Sequence, residues 1–291
     1  MAEKQITKRQ HYVPQTYLEG FSTDGIHLYA YHIKSAAAIG KAVPIDSVCY
    51  KDYLYEFRDS NGQIVNINLL EDALCDYEGQ FADYKRKLEE KAYCKENFET
   101  KCFLTKEEKG FWKVYLTLQI LRNPIILKGT AEIVKSELPE KDITDARNYA
   151  LEISLPIVKT AEPRDMNAFI YFLSLVIRKK LSIGYTENDH LFTSDLAVYG
   201  YSPTKGEFDF ESLWFPINSK LVLIASDPDK ISPSMYNRLI PLSDEEVKNL
   251  NKGIAYNANQ MIFSKQPFTE DDIRLIEQAR SERAQDKNNE N

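Results

Sequence analysis

The chain has 291 residues, of which 43% are hydrophobic and 28% are charged. At about 150 residues per domain, this length corresponds to one large domain or two small ones, and the composition excludes a disordered or fibrous chain. The 37 Lys and Arg residues against 44 Asp and Glu residues leave a net charge of −7. That charge argues against a protein that coats nucleic acid or an anionic membrane, although it is compatible with a local basic groove.

The termini and the cysteines carry compartment information. The first ten residues lack the apolar core of a signal peptide. The longest apolar stretches, at 170–177 and 220–226, are far shorter than the roughly 20 residues that span a bilayer. None of the cysteines forms a C-x-x-C pair, so we expect reduced thiols; they are Cys49, Cys75, Cys94 and Cys102. The sequence therefore predicts a cytoplasmic protein without a membrane partner.

The first 68 residues read as a small β-rich region. Residues 1–10 are polar and basic, which predicts a flexible arm. Alternating, aromatic-rich runs at 26–33 and 47–57 predict strands. Ser-Asn-Gly at 60–62 predicts a turn before a further short apolar run.

The middle of the chain reads as a block of helices. Apolar residues recur at helical spacing from Leu69 to Leu88 and predict a helix of about five turns. Thr-Lys-Glu-Glu from Thr105 is a capping box that opens a second helix, which runs to about Arg122, and Pro124 ends or kinks that helix at the preceding residue. Further helical patterns cover 125–137, 142–160 and 165–181.

Strand and helix patterns alternate again in the last third of the chain. Period-two runs at 190–201 and 213–226, joined by turn-forming residues, predict a hairpin or two adjacent strands. Ser-Asp-Glu-Glu from Ser243 opens a helix to about Ile262, and a last helix from Thr269 fades into a disordered tail at 286–291. The order of elements lacks βαβ units. It predicts one α+β domain over 11–285, with N- and C-terminal strands packed on the central helical block.

The segment RQHYVPQTYLEGF at 9–21 places a histidine beside a rigid bend. Pro14 requires an extended residue before it, and Tyr17, Leu18 and Phe21 supply an apolar anchor. His11 is therefore held in place, and three interpretations stay open: a packing histidine, a general acid or base, or a metal ligand.

This segment resembles the opening signature of the domain-of-unknown-function family 4238. Other segments distributed over nearly the whole chain are similar to that family too. They are the Tyr-rich strand ending in Tyr55, the helix with Glu71 and Glu78, Q-x-x-R-N-P at 119–124, F-T-S-D at 192–195 and F-P-I-N-S at 215–219. The resemblance implies a setting in bacterial defence against phage, with which members are associated, and it implies no mechanism.

Two polar pairs interrupt the apolar helices. Glu71 and Glu78 are two helical turns apart and lie on one face, where a carboxylate is costly unless it is paired or binds a cation. The alternative is that both flank the apolar stripe in solvent. Gln119 and Arg122 share a face of a strongly apolar helix, so Arg122 requires a carboxylate, with Glu78 as the simplest partner, or a phosphate.

Asp195 lies in a strand pattern, where it is either an ordinary turn former or a member of a site with Glu78 and His11. The sequence contains no P-loop, dinucleotide-binding, zincin or nucleophile-elbow motif. The corresponding ATPase, redox, protease and serine-hydrolase chemistries are therefore disfavoured.

Two hypotheses of different classes follow. In the first, the chain is an intracellular bacterial defence effector with a hydrolytic, nuclease-like site. His11 is the acid/base, Glu78 and Asp195 are bases or ligands of Mg²⁺ or Mn²⁺, and a nucleic-acid substrate is held by a further set: Arg122, Gln119 and Gln15. In the second, the chain is a non-catalytic sensor or protein-interaction module whose polar residues form a structural hydrogen-bond network. Convergence in one cleft favours the first hypothesis, and a network without a pocket favours the second.

Overall fold

The computed structural model describes residues 5–94, 102–138, 143–155, 167–200 and 211–289. This part of the chain has the predicted α+β fold, with helices and sheets formed by different stretches of sequence. Its helices are α1 (Gln15–Leu18), α2 (Leu69–Ala92), α3 (Lys106–Leu121), α4 (Pro124–Glu137), α5 (Ile143–Ser154), α6 (Ala168–Ile177), α7 (Asp244–Asn257) and α8 (Glu270–Asn289).

The strands are short and fall at both ends of the chain, on either side of the helical block. In the described residues they are β1 (Arg9–His11), β2 (His27–His32), β3 (Ala37–Ala38), β4 (Val43–Pro44), β5 (Tyr50–Asp52), β6 (Phe57–Arg58), β7 (Ile64–Val65), β8 (Lys180–Tyr185), β9 (Thr193–Ser194), β10 (Tyr199–Gly200), β11 (Ser212–Pro216), β12 (Leu221–Ser226), β13 (Leu239–Pro241) and β14 (Met261–Ser264).

Two five-stranded sheets organise these strands. In the first, the order is β10-β11-β12-β8-β13, and β12 runs antiparallel to β8 from Leu221 opposite Tyr185 to Ser226 opposite Lys180. The second contains β3-β2-β14-β9, with β4 also paired to β2. Because β2 is N-terminal and β14 is C-terminal, this sheet joins the two ends of the chain. β1 pairs separately with β5, and β6 with β7.

The largest core cluster lies where α1, α2 and α3 pack on the first sheet. Aromatic rings fill its centre: Tyr17 stacks on Phe215 at 5.0 Å between ring centroids, and Phe81 stacks on Tyr115 at 4.6 Å. Each of these four side chains is at most 1% exposed. Burial of several large rings is a major part of the stabilisation of such a core, and here it fixes α1 against α2 and β11.

Several sequence predictions are confirmed. The strand predicted over 26–33 is β2, and both capping boxes form, at Thr105 with Glu108 and at Ser243 with Glu246. The helix before Pro124 ends at Leu121, and α4 begins at the proline itself, as a first-turn proline permits. The turn at 60–62 connects β6 to β7.

Two helix predictions were wrong at their C-terminal ends, and one strand prediction was wrong in its extent. The helix predicted over 165–181 ends at Ile177, and a strand begins at Lys180. The helix predicted to reach Ile262 ends at Asn257, before β14. The run at 213–226 is two strands, β11 and β12, that pair with each other as a hairpin. At both helix ends, apolar residues that fit either period are drawn into a sheet by pairing with distant strands, β8 with β12 and β14 with β2.

Both predicted loose ends are more ordered than expected over their described parts. In the arm, the backbone N–H of Thr7 donates to Asn68 Oδ1 at 2.9 Å, and Asn68 Nδ2 donates to the carbonyl of Gln5 at 2.9 Å. At the other end α8 continues to Asn289, so 286–289 are helical. The loop predicted at 202–209 lies outside the described residues, as do the ends of the helical patterns at 142 and 156–160. The domain limits at 11 and 285 stay a prediction.

Candidate functional site

Arg122 is the centre of a buried polar network. It caps the C-terminus of α3, and its side chain is 2% exposed. Nη1 donates to Glu78 Oε1 at 2.9 Å, Nη2 donates to the carbonyl of His11 at 2.7 Å, and Nε lies 3.4 Å from the hydroxyl of Tyr55. The predicted ion pair between Arg122 and Glu78 is thereby confirmed. One guanidinium thus links α2, α3, β1 and the segment after β5.

Tyr55 closes this network from the other side. Its hydroxyl donates to the carbonyl of Arg122 at 3.0 Å, and burial raises its pKa to about 12. Burial by itself lowers the pKa of Arg122, but the neighbouring Tyr55 and Glu78 raise it overall. The guanidinium therefore stays charged, and its charge is compensated within the protein.

A second buried contact that sequence reasoning missed positions Tyr55. Gln10 is fully buried in β1, and its side chain donates to Glu56 Oε1 at 2.6 Å while accepting from the backbone N–H of Tyr55 at 2.6 Å. Glu56 is 1% exposed and also accepts from the backbone N–H of Asn68. No sequence motif predicts this contact. Both residues are polar, and they become buried only when β1 packs against the start of α2.

The His11 ring lies at the edge of the network and is half-buried. A proton on Nε2 lets the ring donate to the carbonyl of Asp46 at 3.3 Å and accept at Nδ1 from Gln15 Nε2 at 3.3 Å. Burial lowers the pKa of His11, although the Asp46 carbonyl and the Glu78 carboxylate oppose this. Burial thus favours the neutral imidazole, and Gln15 contacts this ring, while its role in substrate binding stays a prediction.

Glu71 lies two turns before Glu78 on α2, and burial raises its pKa to about 7. Among the described residues, Glu71 Oε2 is one of a few buried side-chain atoms without a hydrogen-bond partner, and Gln119 Oε1 and the Tyr115 hydroxyl are two others. Glu71 interacts electrostatically with Arg122 and Glu78, and Tyr115 does so too. The network around Arg122 therefore includes a carboxyl group that changes its charge near neutral pH.

Asp195 is 2% exposed, and backbone N–H groups surround its carboxylate. Asn259 donates to Oδ1 at 2.9 Å, Gln260 donates to Oδ2 at 2.9 Å, and Met261 donates to Oδ1 at 3.4 Å. Burial raises the pKa of Asp195, against the opposing effect of these three bonds. The carboxylate fixes the entry into β14, a role close to the turn-forming alternative.

The two predicted metal ligands have different surroundings. Glu78 binds Arg122, whereas Asp195 binds backbone N–H groups, whose positive ends are directed at the oxygens that a cation requires. Within the described ranges, no group of three or more His, Cys, Asp or Glu side chains is arranged to hold a metal ion. The metal and catalytic roles of His11, Glu78 and Asp195 stay predictions.

An open cleft of about 720 Å³ lies further along α2, outside the predicted site. It is bounded by the turn after α1, the C-terminal half of α2, and the loops that flank β8 and β12. Its lining is mostly polar and consists of Glu19, Gly20, Ser22, Lys85, Glu89, Tyr93, Tyr185, Asp189, Asn218, Ser219, Lys220 and Lys265.

Side-chain hydrogen bonds hold the walls of this cleft. Asn218 Nδ2 donates to Glu89 Oε1 at 2.7 Å and to the Tyr93 hydroxyl at 3.0 Å. Asp189 Oδ1 accepts from Ser219 Oγ at 2.5 Å and from Lys265 Nζ at 3.1 Å. Sequence reasoning missed the cleft, although F-P-I-N-S contributes two wall residues. The spacing of seven from Glu71 through Glu78 also continues to Lys85.

The model of a family described as a protein of unknown function (DUF4238) matches residues 9–267. The chain belongs to this family. No curated protein and no solved structure gives a significant match. In the parts of the chain that the structure describes, no helix has the length and apolar character needed to cross a membrane.

The segments that carry the family resemblance meet one another in the fold. The hydroxyls of Tyr17 and Thr193 share a hydrogen bond of 2.6 Å, and Asn123 Nδ2 donates to the carbonyl of Asp195 at 3.1 Å. The backbone N–H of Ser219 donates to the carbonyl of Gly20 at 3.1 Å. With the Arg122 contacts, these bonds join signature segments that are distant in sequence, so the family pattern describes one connected internal network.

Proposed function

We propose that this chain is a non-catalytic recognition module in which the polar residues around Arg122 are structural. The observation that carries the proposal is the guanidinium of Arg122. It is 2% exposed, and its donors are directed at Glu78, the His11 carbonyl and Tyr55. A phosphate-binding arginine needs donors that face solvent or substrate. Here the donors are used to join three segments of the protein.

The surroundings of Asp195 support the same proposal. Its carboxylate is engaged by three backbone N–H groups at the start of β14, and burying it without them is unfavourable. Hydrogen bonds connect His11 and Glu78 to Arg122, and the neighbouring Asn123 to Asp195, within the protein, whereas the open cleft beside α2 is lined by other residues.

Incubation of the purified protein with labelled RNA and DNA tests this role. Reactions contain Mg²⁺, Mn²⁺ or EDTA, and the parent is compared with a His11→Ala, Glu78→Ala double variant. We expect no cleavage by the parent beyond that in protein-free buffer. Metal-dependent cleavage by the parent that disappears in the double variant contradicts the proposal and supports the catalytic assignment of His11 and Glu78.

One observation favours a second candidate, a hydrolytic, nuclease-like defence effector. The carboxyl of Glu71, whose pKa burial raises to about 7, interacts with Glu78 and Arg122, which also interact with the nearby His11. Groups that titrate near neutral pH are suited to general acid–base catalysis. In this candidate, a Glu71→Gln variant loses the cleavage activity of the parent while its thermal unfolding midpoint is retained, and the same labelled substrates measure it.

The defence setting of either candidate rests on the family resemblance. Its test is the plating efficiency of phage on bacteria that express the parent chain, an Arg122→Ala variant or an empty vector. A reduction in plaques that requires the folded parent supports the setting, and equal plaque numbers in all three contradict it.

A further inference from the structure

We propose that the cleft beside the C-terminal half of α2 binds a small anion, a phosphate or carboxylate group, through the ammonium groups of Lys85 and Lys220. Both lysines line the cleft, which lies apart from the Arg122 network. The inference depends on the recognition role only in treating this cleft as a binding site rather than an active site.

The ammonium group of Lys85 has few partners within the protein. Its ammonium is half-buried and makes one long hydrogen bond, to the carbonyl of Thr16 at 3.5 Å. Among the described residues, no carboxylate lies within ion-pairing distance of it. Burial lowers the pKa of Lys85, while Glu89 and Glu19 oppose that effect. An ammonium in this position has unused donors and gains from an incoming anion.

The other charges of the cleft are already engaged or exposed. Glu89 accepts from Asn218, and Asp189 accepts from Ser219 and Lys265. Glu19 is exposed at the rim, where water and salt screen its charge. Because the half-buried carboxylates of Glu89 and Asp189 have their own hydrogen-bond partners, they repel an anion less than their number suggests.

The walls are also arranged before any ligand arrives. Asn218 Oδ1 accepts from the backbone N–H groups of Lys220 and Leu221, both at 2.8 Å, which fixes the turn that carries Lys220. The carbonyl of Gly20 holds Ser219 on the opposite side. A preorganised site loses less conformational entropy on binding than a mobile one, so the few contacts of a small anion can be enough for binding.

The test is a titration of the full chain followed by amide NMR, with inorganic phosphate and acetate as separate probes and chloride at equal ionic strength as the reference. We expect saturable shifts for the backbone amides of Gly20, Ser219 and Lys220 with at least one probe. Saturation by one probe alone identifies the class of anion. The apparent dissociation constant should rise on the order of tenfold in Lys85→Gln.

Lys87→Gln, at an exposed position on the same helix, is the matched control and should leave the titration unchanged. Thermal unfolding of both variants verifies that they fold. Absence of saturable shifts with both probes, or an unaltered titration in a folded Lys85→Gln variant, overturns the proposal. These amide shifts report the cleft alone, so nucleic-acid cleavage contradicts the recognition role without affecting this result, and a failed titration does not affect the Arg122 network.

Discussion

Arg122 brings a full charge to a position that is 2% exposed, so the protein depends on the groups that receive its protons. Arg122→Ala leaves Glu78 and two further acceptors without their donor, and we expect a loss of about 3–5 kcal/mol in the free energy of unfolding. Glu78→Gln should cost less, because Glu78 is 20% exposed and the amide oxygen still accepts a hydrogen bond. Urea unfolding of both variants alongside the parent measures the two values.

Arg86→Ala is the control for this comparison. Arg86 pairs with Glu90 on the same helix as Glu78, but their side chains are 60% and 63% exposed, and surface pairs of this kind contribute about 0.2–1 kcal/mol. A near-native Arg122→Ala protein contradicts the structural role of the ion pair and returns Arg122 to the role of a phosphate ligand.

Glu71 makes the stability of the protein depend on pH. Burial raises its pKa from an ordinary value of 4.5 to about 7, so between these values the folded protein keeps a proton that the unfolded chain releases. The free energy of unfolding therefore falls through this group as the pH rises across that interval, and above it the loss is complete. Glu71→Gln has no such loss, and its stability relative to the parent should increase from about pH 5 to about pH 7.5.

Urea unfolding of the parent and Glu71→Gln at several pH values measures this difference. Other titrating groups, His11 and Asp195 among them, are common to both proteins and cancel. Glu90→Gln serves as the exposed control on α2. A stability difference between parent and Glu71→Gln that is constant over the interval contradicts the raised pKa.

Two glycines differ in how much space surrounds them, and the difference reports how closely the turn after α1 approaches the β11–β12 turn. A Cβ added at Gly20 lies 2.8 Å from the carbonyl oxygen of Ile217 and 3.0 Å from Asn218 Cβ, whereas one added at Gly79 in α2 meets nothing within 4 Å. Gly20→Ala should therefore destabilise the protein by about 1–3 kcal/mol, because the turn after α1 and the β11–β12 turn must separate. Gly79→Ala should stabilise it by about 0.5–1 kcal/mol through helix propensity.

Thermal or urea unfolding of the two variants against the parent gives both signs in one experiment. Because the added group is the same methyl, the comparison isolates the contact at Gly20. A Gly20→Ala variant as stable as Gly79→Ala shows that the turn after α1 and the β11–β12 turn do not approach each other closely.

Helix starts were more predictable than helix ends. Thr105 and Ser243 are followed at the third position by Glu108 and Glu246, and these local contacts form as capping boxes whatever the rest of the chain does. The end of α6 depends instead on β8, which pairs with β12 about 40 residues later. Because no glycine or proline marks the junction at Lys179, local sequence carries little information about where helix gives way to strand.

The last helix, α8, bears on whether the C-terminal end contributes to the stability of the whole molecule. The family match ends at residue 267, yet Ile276 and Ala279 in α8 are fully buried in a cluster with Leu250 and Ile254 of α7. Ile276→Ala removes buried methyl groups and should lower the free energy of unfolding by about 2–5 kcal/mol.

Urea unfolding of Ile276→Ala and of Glu277→Ala, an exposed neighbour on α8, checks this value. An unchanged midpoint in Ile276→Ala means that α8 is not part of the cooperative unit. The expected loss of unfolding free energy would instead show that the cooperative folding unit includes residues beyond the family match.

By itself the sequence determined the fold class, most helices, both capping boxes and the pairing of Arg122 with Glu78. The helices and capping boxes follow from periodicity and from contacts within a few residues, and the need of Arg122 for a carboxylate partner follows from the cost of a charge on an apolar helix. The buried Gln10–Glu56 pair, the backbone partners of Asp195 and the cleft at Lys85 were decided only by the tertiary structure. Each joins residues that are far apart in the chain, and a polar side chain acquires its environment only when distant elements pack around it.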